Sequence, residues 1–401
     1  APTSPKSWQS ITVTAKIADA QGIGPVQVHY QVCPAGSFIP STLPLTNSQI
    51  VANPRRPLPP NPAFEDAANW LSTPMVDDGS LPSDTAGDGL FTAIIPAQPH
   101  RALVRYRITA TDLTGASVRV PAENDPRKNF ALFVYDTLPV YTKGTTIIPP
   151  DTLSTLPVYH WLTRAADYTA LLAYTSTNQF ANNADLNNLL ARHYENIEGA
   201  LVVGDQVIDH TLVRLRGGNS RYMGNGKRHM RFKFPDGTPF QATDEAGRPY
   251  ARPWEEMLFN KLFGNKGYYD WGLVYEVGAK LWAQQGIPMP ESHHLHFRVV
   301  RHANENDATN GDFWGLYQAL ELPEGKNFLD ARNLPQGNFY KLTDWQQNGE
   351  MDQRYQAPGA PEFAEDFDNI RYNVHQTTPQ SELERYLDMP LWYRYNAVQE
   401  A

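Results

Sequence analysis

The stretch Leu212–Phe234 carries the densest concentration of chemically useful side chains in the chain. Its core reads Arg214-Leu-Arg216-Gly217-Gly218-Asn219-Ser220-Arg221 and resumes as Lys227-Arg-His-Met-Arg-Phe-Lys233-Phe234. A Gly-Gly pair between two strand-like runs lets backbone N–H groups approach a ligand that a Cβ would hold off, and the flanking cations favour an anion. Arg216 and Arg221 offer bidentate guanidinium forks, Lys227 lies near the turn, and Lys233 alternates with Arg231 on the strand that follows. Such a hairpin suits phosphate, with Lys233 as the foremost candidate. The competing reading is a solvated basic hairpin whose glycines serve only the turn, since charge runs are mostly surface.

Other groupings point to weaker chemistry. Asp77-Asp78-Gly-Ser80 and Asp84-Thr-Ala-Gly-Asp88-Gly89 gather four carboxylates in a Gly-rich loop, which is oxygen-ligand chemistry suited to calcium, although the spacing is not that of an EF-hand. The alternative is a pair of Asp-Gly turns between strands. In Ser292-His293-His294-Leu-His296 the second and third histidines share one side of a strand, yet no cysteine or carboxylate stands at a recognisable zinc spacing. Ser220 lacks the nucleophile elbow and the His/Asp partners of a hydrolase. The tryptophans of the second half fall on apolar faces and read as core, except Trp345 in a polar stretch.

The elements that must position these residues divide in two. A chain of 401 residues exceeds the usual single-core size, and 41% hydrophobic against 19% charged residues marks a globular protein. No apolar run reaches the length of a membrane span. A formal charge of −9 argues against a general nucleic-acid partner, because the cations are local to 214–233. The single Cys33 excludes an internal disulfide framework and reads as a core residue.

Residues 1–140 read as an all-β, Ig-like or fibronectin-like sandwich. Ile11-Thr-Val13-Thr-Ala15-Lys-Ile17 and Val26-Gln-Val28-His-Tyr30-Gln-Val32 alternate with period two, and further strands are expected at 90–95, 102–110, 117–120 and 130–135. The Pro-rich stretch 34–65 interrupts them as an extended surface excursion, because proline cannot donate to a ladder. A linker is expected over 141–155. From 156 to 401 the pattern becomes α+β: helical spacing at 161–173 and 184–194, a hairpin leading into Leu212, a helix opened by Pro253 with Trp254, Met257, Leu258 and Leu262 on one face, and a longer helix over 271–285. That last helix places Leu273, Val274, Val277 and Leu281 together and stops at Gly286-Ile-Pro288. Strands then follow over 295–301 and 313–321.

Arg216-Gly-Gly-Asn-Ser-Arg221 with Lys233 downstream, the helix ending in Gly286-Ile-Pro, Trp314-Gly-Leu-Tyr317 with Glu321, and Phe339-Tyr-Lys341 together resemble the CotH family of atypical protein kinases, named for a bacterial spore-coat protein. The resemblance covers roughly 155–401 and lies in the order of several separate motifs. It implies a kinase-like domain binding ATP with magnesium or manganese, in which Arg216, Gly217, Ser220, Arg221, Lys227 and Lys233 attend the phosphates, while Glu276 and Glu321 are the candidate carboxylates. The doublet Gly217-Gly218 departs from the family pattern, where a single glycine is commoner. The final stretch from Asp388 to Ala401 resembles the helix that precedes the family's catalytic Asp and Asn, so those residues are expected after Ala401, attached or as a second chain.

Two functions follow as expectations. The first is a secreted or cell-surface kinase that transfers the ATP γ-phosphoryl group to Ser or Thr of an extracellular or coat protein, inactive as the 401-residue chain alone, with the sandwich as accessory module. The second is a non-catalytic adhesion or structural protein built on the same scaffold.

Overall fold

The computed structural model describes residues 4–53, 56–173, 197–216, 227–262, 272–305, 312–342, 351–362 and 365–400. Its N-terminal part is all-β. Strands β1 (Ile11–Lys16) and β4 (Leu90–Ile95) form one antiparallel ladder; β2 (Ile23–Cys33), β3 (Leu71–Pro74), β5 (Leu103–Asp112), β6 (Ser117–Val120) and β7 (Phe130–Phe133) form a second sheet. Ile11 and Val13, Ala93 and Ile95, Val26 and Val28, Val104 and Leu132 meet in one buried cluster between the two sheets. The period-two alternation of β1 and β2 is what gives each sheet its apolar inner face.

The Pro-rich stretch is more than a surface excursion. Its prolines keep it out of the ladders, but Leu45 and Ile50 are buried with the core of the following barrel, and Phe64 is buried against the Arg105 and Arg107 guanidiniums at 5.2 and 5.3 Å. A short helix, Asn47–Ala52, is fixed by a capping box between Thr46 and Gln49. The segment is a strap from the N-terminal sheets onto the barrel.

After the small hairpin of β8 (Tyr141–Lys143) and β9 (Thr146–Ile148), seven strands close a barrel: β10 (Val158–Thr163), β11 (Ile197–Val203), β12 (Gln206–Leu215), β13 (Met230–Lys233), β14 (Glu256–Asn260), β15 (Ser292–Val300) and β16 (Phe313–Glu321). Their spatial order is β10-β11-β12-β13-β14-β16-β15, and a parallel pairing of β10 with β15 completes the circle. Tyr159, Trp161, Phe232, Phe259, Phe297 and Tyr317 fill the interior, as expected of a barrel too narrow to hold a channel. Gly199 makes that filling feasible, because a Cβ there would collide with the Trp161 indole and the Leu162 carbonyl.

The helix expected from Pro253 is instead β14. Met257 and Phe259 alternate into the barrel core between β13 and β16, and an apolar run as short as Met257-Leu258-Phe259 cannot by itself distinguish strand from buried helix. The longer helix is present as Gly272–Gln284. It stops where Gly286, at φ 77°, lets its own N–H reach the Ala283 carbonyl and the Ile287 N–H reach that of Trp282. Among its described side chains Glu276 is buried, while Val277 and Leu281 are each 48% exposed, so that part of the expected apolar face does not pack on the barrel. The segment 184–194 lies outside the described residues. Beyond β16 come helix Gly325–Ala331, the hairpin of β17 (Phe339–Leu342) and β18 (Met351–Tyr355), and helices Glu365–Asn373, Gln380–Leu383 and Met389–Glu400.

Candidate functional site

The ends of β12, β13, β14 and β16 converge on one rim of the barrel and carry the basic residues there. Gly217, Gly218, Asn219, Ser220 and Arg221 lie outside the described residues; Arg216 and Lys227 bracket them. The Arg216 N–H donates to the His229 carbonyl at 3.1 Å, and its guanidinium donates to Asn260 Oδ1 on β14. Lys227 donates through Nζ to the Leu316 carbonyl, and the same ammonium lies 4.5 Å from the centre of the Tyr317 ring. Lys261, only 1% exposed, follows directly on β14, and its N–H donates to His229 Nδ1 at 3.3 Å.

The electrostatics of this rim are those of crowded cations. Burial and then the neighbouring charge of Lys261 lower Lys227 to about 8. Arg216 is lowered to about 10 by burial and by Arg231, against the opposing pull of Glu324. Burial, followed by the charges of Arg216 and Lys261, takes His229 down to about 3, which keeps its ring neutral. Holding these cations together out of water costs free energy, and a bound anion offsets that cost.

A line of amides carries the rim across the outer face of the barrel. Arg216 donates to Asn260, the Asn260 Nδ2 donates to Gln318 Oε1 at 3.4 Å, and the Gln318 Nε2 donates to Glu276 Oε2 at 2.9 Å. Ser292 Oγ donates to the same Glu276 oxygen at 2.8 Å. Burial would raise the Glu276 carboxyl, but hydrogen bonds from Lys280, Ser292 and Gln318 outweigh it and hold it below the ordinary range.

No curated protein matches the chain. Residues 213–401 match the family described as CotH kinase protein. The CotH match opens inside β12 and takes in the Gly-Gly hairpin, the helix bearing Glu276, and both strands up to Glu321. Strands β10 and β11, which complete the barrel, lie upstream of it. No helix among the described residues is long and apolar enough to cross a membrane.

Within the CotH segment the structure separates the residues singled out from the sequence. Arg216 and Lys227 come together at the rim with Lys261. Lys233 sits at the other end of β13, exposed and paired in register with Glu256, where it lines a hollow of about 310 Å³ with Ser41, Lys128, Glu198 and His210. Glu321 is at the far end of β16; it is held by the Arg332 guanidinium at 2.5 and 3.1 Å and accepts the Glu291 N–H at 3.1 Å. In the N-terminal loop, Asp77 accepts the N–H groups of Gly87, Asp88 and Gly89, Asp84 those of Asp78 and Gly79, Asp78 that of Ser80, and Asp88 that of Leu90. Those four carboxylates serve as turn acceptors.

Lys261 carries no signal in the sequence, where the run before it reads as a helix. Read as a strand, Met257 and Phe259 point inward, and the lysine falls at the rim beside the Gly-Gly hairpin. Asn260 and Gln318 carry no signal: only the pairing of β14 with β16 makes them neighbours.

Proposed function

We propose that this protein is a CotH-like protein kinase whose basic barrel rim, formed by Arg216, Lys227 and Lys261, holds the phosphates of ATP. The observation that carries the reading is the gathering of those cations where β12, β13 and β14 end, inside the CotH-matched segment. The order of parts supports it. Kinases place a Gly-rich loop over the phosphates, a lysine on the third strand, and a glutamate on the helix that follows. Here the hairpin β12–β13 is followed by β14 with Lys261 at its end, then by the helix bearing Glu276. Magnesium or manganese, bound with the nucleotide, would neutralise charge developing on the transferred phosphoryl group. The chain's own part at the rim is to grip and orient the phosphates through charge-assisted hydrogen bonds.

On this reading the acceptor is a Ser or Thr of an extracellular or coat protein, the protein is secreted or surface-exposed, and the N-terminal sheets are an accessory module. The test is equilibrium binding of ATP with magnesium to the 401-residue chain. Lys227→Ala and Lys261→Ala should each weaken binding about tenfold or more, the worth of one charge-assisted hydrogen bond. Lys233→Ala, at the other end of its strand, should change it little. Undiminished binding in both rim variants defeats the assignment, and a loss confined to Lys233→Ala moves the site to the opposite end of β13.

A further inference from the structure

On the outer face of the barrel, Glu245, Glu276 and His294 bring one ligand atom each to a common point, all within 4.8 Å of one another. They come from three separate elements. Glu245 stands in a tight turn fixed by Asp244, whose carboxylate accepts the N–H groups of Ala246 and Arg248 and pairs with the Arg248 guanidinium at 2.7 Å. Glu276 projects from the helix Gly272–Gln284, and His294 lies on β15 opposite Gln318.

The two oxygens of Glu276 have different fates. Oε2 is taken up by Ser292 and Gln318. Oε1 is buried and faces the Lys280 ammonium at 3.0 Å, which also lies 3.6 Å from Glu245. The Lys280 side chain is 58% exposed, so it can swing into solvent. The surroundings favour a second positive charge. Burial and the charges of Glu321, Asp244 and Glu276 raise the Glu291 carboxyl even against Arg332, and burial with Glu291, Glu245, Glu276 and Asp244 raises the Tyr250 hydroxyl.

We propose that Glu245, Glu276 and His294 form a site for a divalent transition metal, zinc being the ion this donor set suits best, entered by displacement of the Lys280 ammonium. One imidazole and two carboxylates with an open fourth position fit tetrahedral zinc, whereas magnesium and calcium prefer all-oxygen shells. Tetrahedral ligands at about 2.0–2.2 Å from one ion stand roughly 3.3–3.6 Å apart, so closure draws the three atoms inward by about 1 Å or more, a movement open to the exposed Glu245. The ion would tie the helix to the barrel and to the Asp244 turn. This inference does not depend on the kinase reading.

The experiment is calorimetric titration of the chelator-treated 401-residue chain with zinc, read beside thermal melting. Wild type should bind one zinc per chain and melt higher with it. His294→Ala and Glu245→Gln, neither at a fully buried position, should keep their fold by circular dichroism. They should weaken binding by more than the roughly 10–100-fold that loss of a mere supporting group costs. Lys280→Gln should tighten binding, because it removes the competing ammonium. Zinc affinity unchanged in both ligand variants overturns the proposal, as does absence of zinc binding to wild type, even where Lys280→Gln binds it.

Discussion

Arg105 and Asp209 form a bidentate ion pair, 2.6 Å from Nε to Oδ2 and 2.9 Å from Nη2 to Oδ1, buried where the N-terminal sheet meets the barrel. Around it Arg105 also donates to Gln31 Oε1 and the Ile39 carbonyl, and Asn129 bridges Asp209 and His210. The apolar side of the same junction is a shared cluster of Cys33, Phe38, Leu103 and Phe133 with Leu162, Ala200, Val202 and Val300. Strap, sheet and barrel therefore hold one another in place.

Breaking that pair on one side leaves an uncompensated buried charge. Arg105→Met or Asp209→Leu alone should cost about 3–5 kcal/mol, while the double replacement should cost less than the sum of the two. Urea denaturation of the four proteins measures it. A strictly additive cycle would show that the two side chains act independently.

Acid should loosen the same junction. Glu198 accepts both the backbone N–H and the hydroxyl of Ser41, as well as Thr42 and His210. Burial alone would raise its carboxyl, but the His210 hydrogen bond and charge, with Ser41 and Thr42, bring it down to about 2. A carboxyl depressed in the fold stabilises above its unfolded value near 4.5, and that contribution is lost as pH falls towards 2. The melting temperature should drop across this window, and Glu198→Gln, less stable at neutral pH, should show a flatter acid limb.

How much of this was legible in the sequence depended on burial geometry. In β1 and β2 one face is buried and the other wet, so Ile11, Val13, Val26 and Val28 announced their strands by alternation. In β10 the barrel core lies on one side and the N-terminal sheet on the other, and five of six residues are buried, which erases the alternation. Arg105 and Asp209 lie 104 residues apart, with nothing local to mark either as a partner. At the candidate site, Arg216 and Lys227 were legible because glycines and cations cluster within one hairpin. Lys261, Asn260 and Gln318 became visible only through strand order.

Lys227 gives the rim a pH signature. Only its ammonium attracts an anion, and with its proton released near pH 8, against 10.5 for an ordinary lysine, affinity for inorganic phosphate or ATP should begin to fall above pH 8. Lys227→Arg should carry binding to higher pH. Stability of the ligand-free chain should move the other way: the unfolded lysine holds its proton up to about 10.5, so between 8 and 10.5 the unfolded state binds more protons and the fold gains stability as pH rises. Flat affinity from pH 7 to 10 would show that Lys227 does not contact the anion.

The amide line from Arg216 to Glu276 predicts an effect at a distance. Gln318 is 1% exposed and lies between Asn260 and Glu276, its side chain meeting the rim through Asn260. Gln318→Leu keeps much of the volume but leaves Glu276 short of a donor and Asn260 short of an acceptor, at a cost of about 1–3 kcal/mol. If the line only supports packing, stability falls and ATP affinity stays as it was. If it orients Arg216, affinity falls as well, and Gln318→Glu, which still accepts from Asn260 but repels Glu276, should retain more affinity than Gln318→Leu while losing more stability. Measuring melting temperature and ATP affinity for both variants separates the two roles, and we expect both quantities to fall in Gln318→Leu.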